Sequence, residues 1–108
     1  EEYVEEYVTL PASLFGKGEF YIVRANGNSM IGAGIDDGDL VLIRKQQEAN
    51  EGQIVVALVK NENTLKRFFI DKKRGCVRLH PENPEMKDIL VKSCQIQGVA
   101  VHVIKSLQ

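Results

Sequence analysis

The sequence predicts a mainly β fold of several short, mostly antiparallel strands. Two observations support this prediction: apolar residues recur with a period of two or in short runs, and clusters of turn-forming residues separate these runs. The predicted strands are Phe20 to Ala25, Leu40 to Arg44, Ile54 to Lys60, Thr64 to Ile70, Cys76 to His80 and Ile96 to Ile104.

Two of the turn clusters are short enough to close hairpins. Asn61-Glu62-Asn63 would join the strands on either side of it, and Lys72 to Gly75 would join the next pair. The three strands from Ile54 to His80 are therefore predicted to form a meander. Ahead of the first strand, Pro11-Ala12-Ser13-Leu14 predicts a single helical turn with proline at its first position.

Length and composition indicate a single globular domain, residues 1–108. Apolar residues make up 44% of the chain and charged residues 27%, which is the balance of a folded domain rather than a disordered segment. The chain has 14 Lys and Arg residues and 15 Asp and Glu residues, which gives a net charge of −1. Because no excess positive charge is available to neutralise phosphates, we expect no direct contact of this domain with DNA.

The chain shows no sign of a membrane segment or of secretion. The longest apolar runs, such as Ile54 to Val59, are far shorter than the ~20 residues that span a bilayer, and the start does not resemble a signal peptide. Cys76 and Cys94 are the only cysteines, too few for a disulfide scaffold. We therefore expect a cytoplasmic protein with no membrane partner.

Gly27-Asn28-Ser29-Met30 follows directly after a predicted strand, so its serine lies on a tight turn. Such a turn can expose the hydroxyl and direct successive backbone N–H groups to one point, which is what an oxyanion requires. The same residue types also favour turns for conformational reasons alone, and an ordinary turn stays open as the alternative.

Lys66 is the second candidate, in the predicted strand that begins at Thr64. Strand alternation places Lys66 on the same face as Thr64 and Phe68. Burial on an apolar face lowers the pKa of a lysine, and the neutral amine can accept a proton from a serine. The alternative is an edge strand whose Lys66 and Arg67 both reach solvent, where they would protect the edge against aggregation.

Together with the stretches around them, these two motifs resemble the C-terminal domain of LexA-type repressors. The resemblance extends over residues 7 to 105 in one collinear order. The matching stretches are Phe20-Tyr21-Ile22-Val23-Arg24, Gly27-Asn28-Ser29-Met30, Gly34-Ile35-Asp36-Asp37-Gly38-Asp39-Leu40-Val41, Gly52-Gln53-Ile54-Val55-Val56-Ala57, Thr64-Leu65-Lys66-Arg67, Leu79-His80-Pro81-Glu82-Asn83-Pro84 and Ile96-Gln97-Gly98-Val99-Ala100-Val101.

The resemblance implies a serine peptidase that acts mainly in self-cleavage, on the compact β fold shared with signal peptidase. Ser29 would be the nucleophile and Lys66, in its neutral form, the general base of a Ser-Lys dyad. The backbone amides of Asn28 and Ser29 would form the oxyanion hole. Because the neutral fraction of a lysine rises with pH, cleavage would be faster under alkaline conditions. No cofactor and no metal is implied.

The resemblance also implies partners and a biological setting. Repressors of this family inactivate themselves by self-cleavage after DNA damage, in the SOS response, with the RecA filament as co-protease. Their C-terminal domain also forms homodimers, largely through the C-terminal strand, and Ile96 to Ile104 has the apolar density for this. Pairing two DNA-binding domains raises operator affinity, because two half-sites then bind as one unit.

The sequence departs from the family pattern ahead of the matching region. Family repressors carry an N-terminal winged-helix domain, a linker and a scissile Ala-Gly or Cys-Gly bond there, and none of these is present in the sequence. Ala33-Gly34 follows Ser29 and is interpreted as a turn rather than a substrate. We expect a truncated form or the C-terminal product of cleavage.

Several alternatives stay open at this point. A mutagenesis protein of the UmuD type shares the domain and the chemistry without a DNA-binding domain, and a phage repressor of the cI type is similar. A module that dimerises without peptidase activity is a further alternative. Signal peptidase I shares the dyad, but the absence of a membrane anchor in the sequence argues against it.

Other clusters of reactive residues have weaker patterns. Two cysteines and two histidines lack the paired C-x-x-C spacing of a zinc site, and either histidine would need an acidic partner to act as base for Ser29. Three aspartates around Gly38 lack the twelve-residue pattern of a calcium loop and favour a turn. These residues are Cys76, His80, Cys94 and His102, and Asp36, Asp37 and Asp39.

Overall fold

The computed structural model confirms the predicted fold class, with one antiparallel sheet as its framework. The structure describes residues 4–108, so residues 1–3 of the predicted domain lie outside the described residues. The strands are β1 (Val4–Val8), β2 (Phe20–Arg24), β3 (Leu40–Lys45), β4 (Ile54–Val59), β5 (Glu62–Asp71), β6 (Cys76–His80), β7 (Ile89–Val91) and β8 (Gln95–Ile104). Within the described part of the chain these eight strands follow the spatial order β1-β2-β3-β8-β4-β5-β6-β7.

The predicted meander of β4, β5 and β6 is confirmed, with one turn tighter than expected. β4 and β5 pair as far as Val59 and Glu62, so only Lys60 and Asn61 form the hairpin loop. Both residues have positive φ, 50° and 67°, as a two-residue type I′ turn requires. Lys72 to Gly75 closes the second hairpin as predicted.

Two strands form where the sequence pattern predicts none. β1 carries two consecutive glutamates, and β7 has only three residues, so neither shows the apolar alternation of a strand. Each forms because a neighbour offers an edge: β1 pairs with β2, and β7 pairs with β6. Tertiary pairing outweighs local preference at both positions.

The helical segments are short. The predicted helical turn is confirmed as α1 (Ala12–Phe15). Pro11 is its N-cap residue, whereas the sequence predicts proline at the first helical position. A 3-10 helix, Ile31–Ala33, lies between β2 and β3. In the region from residue 4 onwards, no helix is both long and apolar enough to cross a membrane.

β8 lies at the centre of the sheet and joins its two halves. Its later residues pair with β3 and its earlier residues pair with β4. Gly98 pairs with both neighbours, opposite Lys45 on one side and Val56 on the other. A Cβ on Gly98 would lie 2.4 Å from Ile43 Cγ2 and 2.6 Å from the carbonyl oxygen of Arg44, so only glycine fits this crossing.

Alternate residues of β4 and β5 enter two separate hydrophobic clusters. Val56 and Leu65 belong to the cluster beneath β2 and β3, whereas Val55, Ala57 and Phe68 belong to the cluster beneath β6 and β8. These two strands are therefore packed on both faces. A buried polar side chain on these strands has to find its partners inside the protein.

Tyr21 links β2 to β8 and makes part of the stability of the fold depend on pH. Its side chain is buried, and its hydroxyl donates a hydrogen bond to the carbonyl of Gln97 at 3.2 Å. Burial, with a smaller effect of Tyr7, raises the pKa of Tyr21 from 10.0 to about 12. Because the folded-state pKa lies above the unfolded one, this stabilisation is complete below pH 10.0 and is lost as the pH rises through about 12.

We expect Gly98→Ala to lower the free energy of unfolding by about 3 kcal/mol, because the added methyl group overlaps backbone that cannot move without separating β3 from β8. Urea denaturation followed by circular dichroism measures this loss. Gly75→Ala is the matched control: nothing lies near its Cβ position, and only its φ of 62° is unfavourable for alanine. That strain is worth about 1 kcal/mol. Equal losses in the two variants would contradict the close approach at Gly98.

Candidate active site

The loop that carries Ser29 begins where β2 ends and is braced by the turn that precedes β3. The N–H of Ala25 donates to the carbonyl of Asp39 at 2.8 Å. Gly27 has a φ of 84°, and its N–H donates to the carboxylate of Asp37 at 2.7 Å. The chain therefore reverses just ahead of Ser29, in the tight turn that the sequence predicts.

The residues after Ser29 are anchored in the core. Met30 is buried, and its carbonyl accepts hydrogen bonds from the N–H groups of Ala33 at 3.0 Å and Ile35 at 3.2 Å. The 3-10 helix ends at Ala33 and is capped by Gly34, which has a φ of 83°. Ala33-Gly34 thus lies in a turn, as interpreted from the sequence. Ser29 is half-buried and lies between the exposed turn at residues 26–28 and the buried Met30.

Lys66 lies on β5 and is only 7% exposed. Its Nζ donates hydrogen bonds to Ser29 Oγ at 3.3 Å and to Thr64 Oγ1 at 2.6 Å. The fold thereby brings together two side chains that are 37 residues apart in the chain. The alternative interpretation, in which Lys66 lies on an edge strand and reaches solvent, is wrong. β5 lies between β4 and β6, and the Lys66 side chain is buried.

Ser29 and Lys66 open into one surface cleft with a volume of about 350 Å³. The Ser29 loop and the start of β5 supply its polar lining, and three side chains supply an apolar wall. That wall consists of Val59, Met86 and Ile89. A hydroxyl, an amine and an apolar wall thus share one solvent-accessible space.

The backbone amides of Asn28 and Ser29 were predicted as oxyanion donors. Within residues 4–108, neither N–H donates a hydrogen bond to another protein group. The carbonyl of Asn28, in contrast, accepts a hydrogen bond from Asn83 Nδ2 at 2.9 Å. Both amides are therefore available to a ligand. The peptide group that joins Asn28 to Ser29 is fixed on its carbonyl side by Asn83.

Pro81 to Asn83, which we call the supporting segment, contacts the Ser29 loop a second time. The N–H of Gly32 donates to the carbonyl of Glu82 at 2.8 Å, and a Cβ on Gly32 would lie 2.7 Å from that oxygen. The Glu82 carboxylate in turn accepts a hydrogen bond from Arg67 Nε at 2.5 Å. Sequence reasoning gave these residues no role, because an asparagine between two prolines signals only a turn.

The histidines have other partners. His80 Nδ1 lies 2.6 Å from Asp88 Oδ1, so His80 has an acidic partner that the sequence does not indicate. His80 nevertheless does not line the cleft that Ser29 lines. The His102 ring packs edge-on against Phe15 at 5.4 Å. Among the described residues, no group of three or more His, Cys, Asp or Glu could hold a metal ion.

The acidic turn around Gly38 binds groups of the protein itself. Lys105 Nζ donates hydrogen bonds to both Asp36 and Asp39. The hydrogen bond from Lys105 lowers the pKa of Asp39, and the same contact raises the pKa of Lys105. These carboxylates, with that of Asp37 on the Gly27 N–H, secure the turn behind the Ser29 loop.

A serine and a buried lysine in hydrogen-bond contact, beside a pair of available amides, are the parts of a Ser-Lys hydrolase site. Residues 1–101 match the Peptidase S24-like family, and the chain belongs to this family. The resemblance stated from the sequence is thereby confirmed at the level of the family.

The chain is similar to proteins named LexA repressor from several bacteria. It is 45% identical to that of Halalkalibacterium halodurans over 107 residues, which are 98% of this chain and 51% of that protein. The identity is 42% over 106 residues for Caldicellulosiruptor saccharolyticus (98% of this chain, 52% of that protein). It is 44% over 106 residues for Desulforamulus reducens (98% of this chain, 49% of that protein). The chain spans about half the length of the relatives it matches.

Proposed function

We propose that this chain is the C-terminal, self-cleaving peptidase domain of a LexA-type repressor, a single domain over residues 1–108. Ser29 is the nucleophile, Lys66 the general base, and the N–H groups of Asn28 and Ser29 form the oxyanion hole. The 3.3 Å contact between Lys66 Nζ and Ser29 Oγ inside the cleft carries this proposal. Membership of the Peptidase S24-like family supports it.

The reaction follows from these positions. Neutral Lys66 accepts the hydroxyl proton of Ser29 while Oγ attacks the scissile carbonyl carbon, and the carbonyl electrons move to oxygen. The amides of Asn28 and Ser29 donate hydrogen bonds to that oxyanion. When the intermediate collapses, the C–N bond breaks and Lys66 returns the proton to the leaving amine. Water then hydrolyses the ester, with Lys66 again as base.

Burial of the Lys66 side chain supports the proposed role as a base. Removal of an ammonium group from water favours its neutral form, because the charged form loses more hydration. In the structure Nζ donates to the hydroxyls of Thr64 and Ser29. After loss of one proton, the amine keeps N–H groups for Thr64 and gains a lone pair for the hydroxyl of Ser29.

The apolar wall of the cleft indicates which kind of peptide the site would bind. Val59, Met86 and Ile89 face the same space as the dyad, and such a surface favours apolar groups in a bound peptide. An Ala-Gly bond carried by a segment upstream in the longer protein fits this chemistry. Ala33-Gly34 does not serve, because it lies in a turn within the domain's own fold.

The relatives' names support the biological part of the proposal. Self-cleavage would inactivate the repressor after DNA damage, in the SOS response, in the cytoplasm and with the RecA filament as co-protease. The net charge of −1 supports a domain that makes no direct contact with DNA. UmuD-type and phage cI-type proteins are the alternatives, and the repressor names among the relatives favour a repressor over both.

We also propose that the domain forms a homodimer through the end of β8. β4 pairs with β8 only as far as Val99, whereas β3 follows β8 as far as Ile104. Val103 and Ile104 are large apolar residues that are 37% and 44% exposed. A second copy of the same strand would cover both side chains, and dimerisation would pair two DNA-binding domains.

Cleavage in trans tests the peptidase. The chain is mixed with a longer fragment that carries the upstream Ala-Gly bond and whose own serine is replaced by alanine, and intact mass is followed between about pH 6 and pH 9. We expect the rate to rise with pH, because only the neutral amine accepts a proton, and to vanish in Ser29→Ala and Lys66→Ala. This range lies below the pH at which Tyr21 loses its proton.

Lys92→Ala and Ser93→Ala are the matched controls, since both residues are exposed and neither belongs to the dyad. They should cleave at the wild-type rate. A folded wild-type chain that cleaves at no pH would refute the peptidase and leave self-association as the remaining function.

Thr64→Val tests the orientation of the lysine amine. Valine has the same shape but cannot accept the hydrogen bond from Nζ, and loss of one such bond lowers the cleavage rate by about tenfold. Thr64→Ser keeps the hydroxyl and should cleave nearly as fast as wild type. Single-turnover rates at one pH measure both. A valine variant as fast as wild type would show that Thr64 plays no part.

Sedimentation equilibrium tests the dimer. Ile104→Asp introduces a charge that the interface would bury without a partner, and we expect at least about a tenfold weaker dimer. Leu14→Asp is the control, because Leu14 is also exposed but lies on α1. An unchanged dimer in Ile104→Asp, or a wild-type chain that is monomeric throughout, would contradict the proposed interface.

A further inference from the structure

Asn83 is a buried polar residue, 8% exposed, whose side-chain amide has partners at both ends. Its Nδ2 donates to the carbonyl of Asn28 at 2.9 Å, and its Oδ1 accepts from the N–H of Glu85 at 2.9 Å. These two contacts fix the orientation of the amide, because the reverse orientation would place donor against donor and acceptor against acceptor. The side chain therefore holds the Asn28 carbonyl in one place.

The Asn28 carbonyl and the Ser29 N–H belong to the same planar peptide group. The described residues contain no cis peptide bond, so the two groups point in opposite directions across this plane. A hydrogen bond that fixes the carbonyl therefore also fixes the direction of the N–H. Donation to the carbonyl also polarises the peptide group and strengthens its N–H as a donor.

The support behind this peptide group is rigid. Pro81 is fully buried, and the Glu82 carbonyl accepts the hydrogen bond from Gly32, beyond Ser29. The Glu82 carboxylate is held by Arg67, which follows Lys66 directly on β5. The supporting segment thus contacts the Ser29 loop on both sides of the nucleophile and is itself tied to the strand of the base.

We propose that Asn83 is a positioning residue that directs the Ser29 N–H at the oxyanion of the proposed peptidase reaction. This inference rests on the proposed function and adds a residue that supports the oxyanion hole from outside the cleft. Asn83 does not line the cleft that Ser29 and Lys66 line, and its side chain contacts the Ser29 loop through the Asn28 carbonyl. Its effect on the reaction therefore passes through the Asn28 peptide group. Its loss should weaken stabilisation of the transition state while binding of the ground-state peptide is kept.

A purely structural role makes a different prediction. If Asn83 only keeps the segment in place, its replacement lowers stability and perturbs the binding of every ligand together. A positioning role lowers kcat with KM nearly unchanged, and it lowers the affinity of a ligand that places an oxygen anion in the hole. A peptide boronic acid ending in alanine at the scissile position is such a ligand, because Ser29 Oγ adds to boron and its proton passes to Lys66.

The experiment measures kcat, KM and boronic acid affinity in trans for wild type, Asn83→Asp and Asn83→Ala. The aspartate keeps the acceptor for the Glu85 N–H but loses the donor, whereas the alanine removes both contacts. Asp88→Asn is the matched control, since it is an equally small exchange that weakens the contacts of Asp88 to Arg78 and His80 a few residues further on.

We expect both Asn83 variants to lose about tenfold or more in kcat, less than the 10²–10³-fold that follows deletion of an oxyanion donor. The boronic acid should lose affinity by the same factor, while KM changes by less than about twofold. Asp88→Asn should match wild type in all three quantities. Thermal unfolding identifies a variant that does not fold, and the other Asn83 variant then decides.

Three results would overturn the inference and leave the proposed function intact. The first is wild-type kcat and boronic acid affinity in a folded Asn83 variant. The second is a loss of kcat without loss of boronic acid affinity, and the third is an equal loss of kcat in Asp88→Asn. A wild-type chain without Ser29-dependent cleavage would instead refute the proposed function, and the role of Asn83 with it.

Discussion

The buried amine of Lys66 is the constraint on which the rest of the site depends. An amine out of water needs polar partners, and the hydroxyls of Thr64 and Ser29 are among those of Lys66. β5 can hold it there only as an interior strand packed on both faces. The sheet thus accepts a destabilising group on an interior strand, which is typical of a functional position rather than of one selected for stability.

Ser29 and Lys66 come from two halves of the chain that β8 joins. Ser29 follows β2, in the half made by β1 to β3, and Lys66 lies in the half made by β4 to β7. β8 is the last strand in sequence and the only element among the described strands that pairs with both halves. The contact between Ser29 and Lys66 therefore depends on the packing of residues that are far apart in the sequence.

Much of the fold could be predicted from the sequence, and the reasons for the misses are physical. β4, β5 and β6 carry period-two patterns and turn residues, so local chemistry specifies them. β1 and β7 exist because neighbouring strands offer edges, which no local pattern records. Ser29 and Lys66 were identified by resemblance to a family, whereas the position of Asn83 behind the Asn28 carbonyl depends on how two distant loops pack.

The hydrogen bonds of the site suggest why such a peptidase can stay inactive until its substrate enters. Nζ of Lys66 lies 3.3 Å from Ser29 Oγ. A charged amine at this distance can only donate to the hydroxyl, whereas a neutral amine can accept its proton. The Ser29 hydroxyl can be activated only when a lone pair on Nζ faces it, and this requires loss of a proton to solvent. A peptide that fills the cleft removes the remaining water and favours the neutral amine. Under the proposed mechanism, entry of the cleavage segment and activation of the base are thus one event, and a partner that stabilises the closed state would accelerate both.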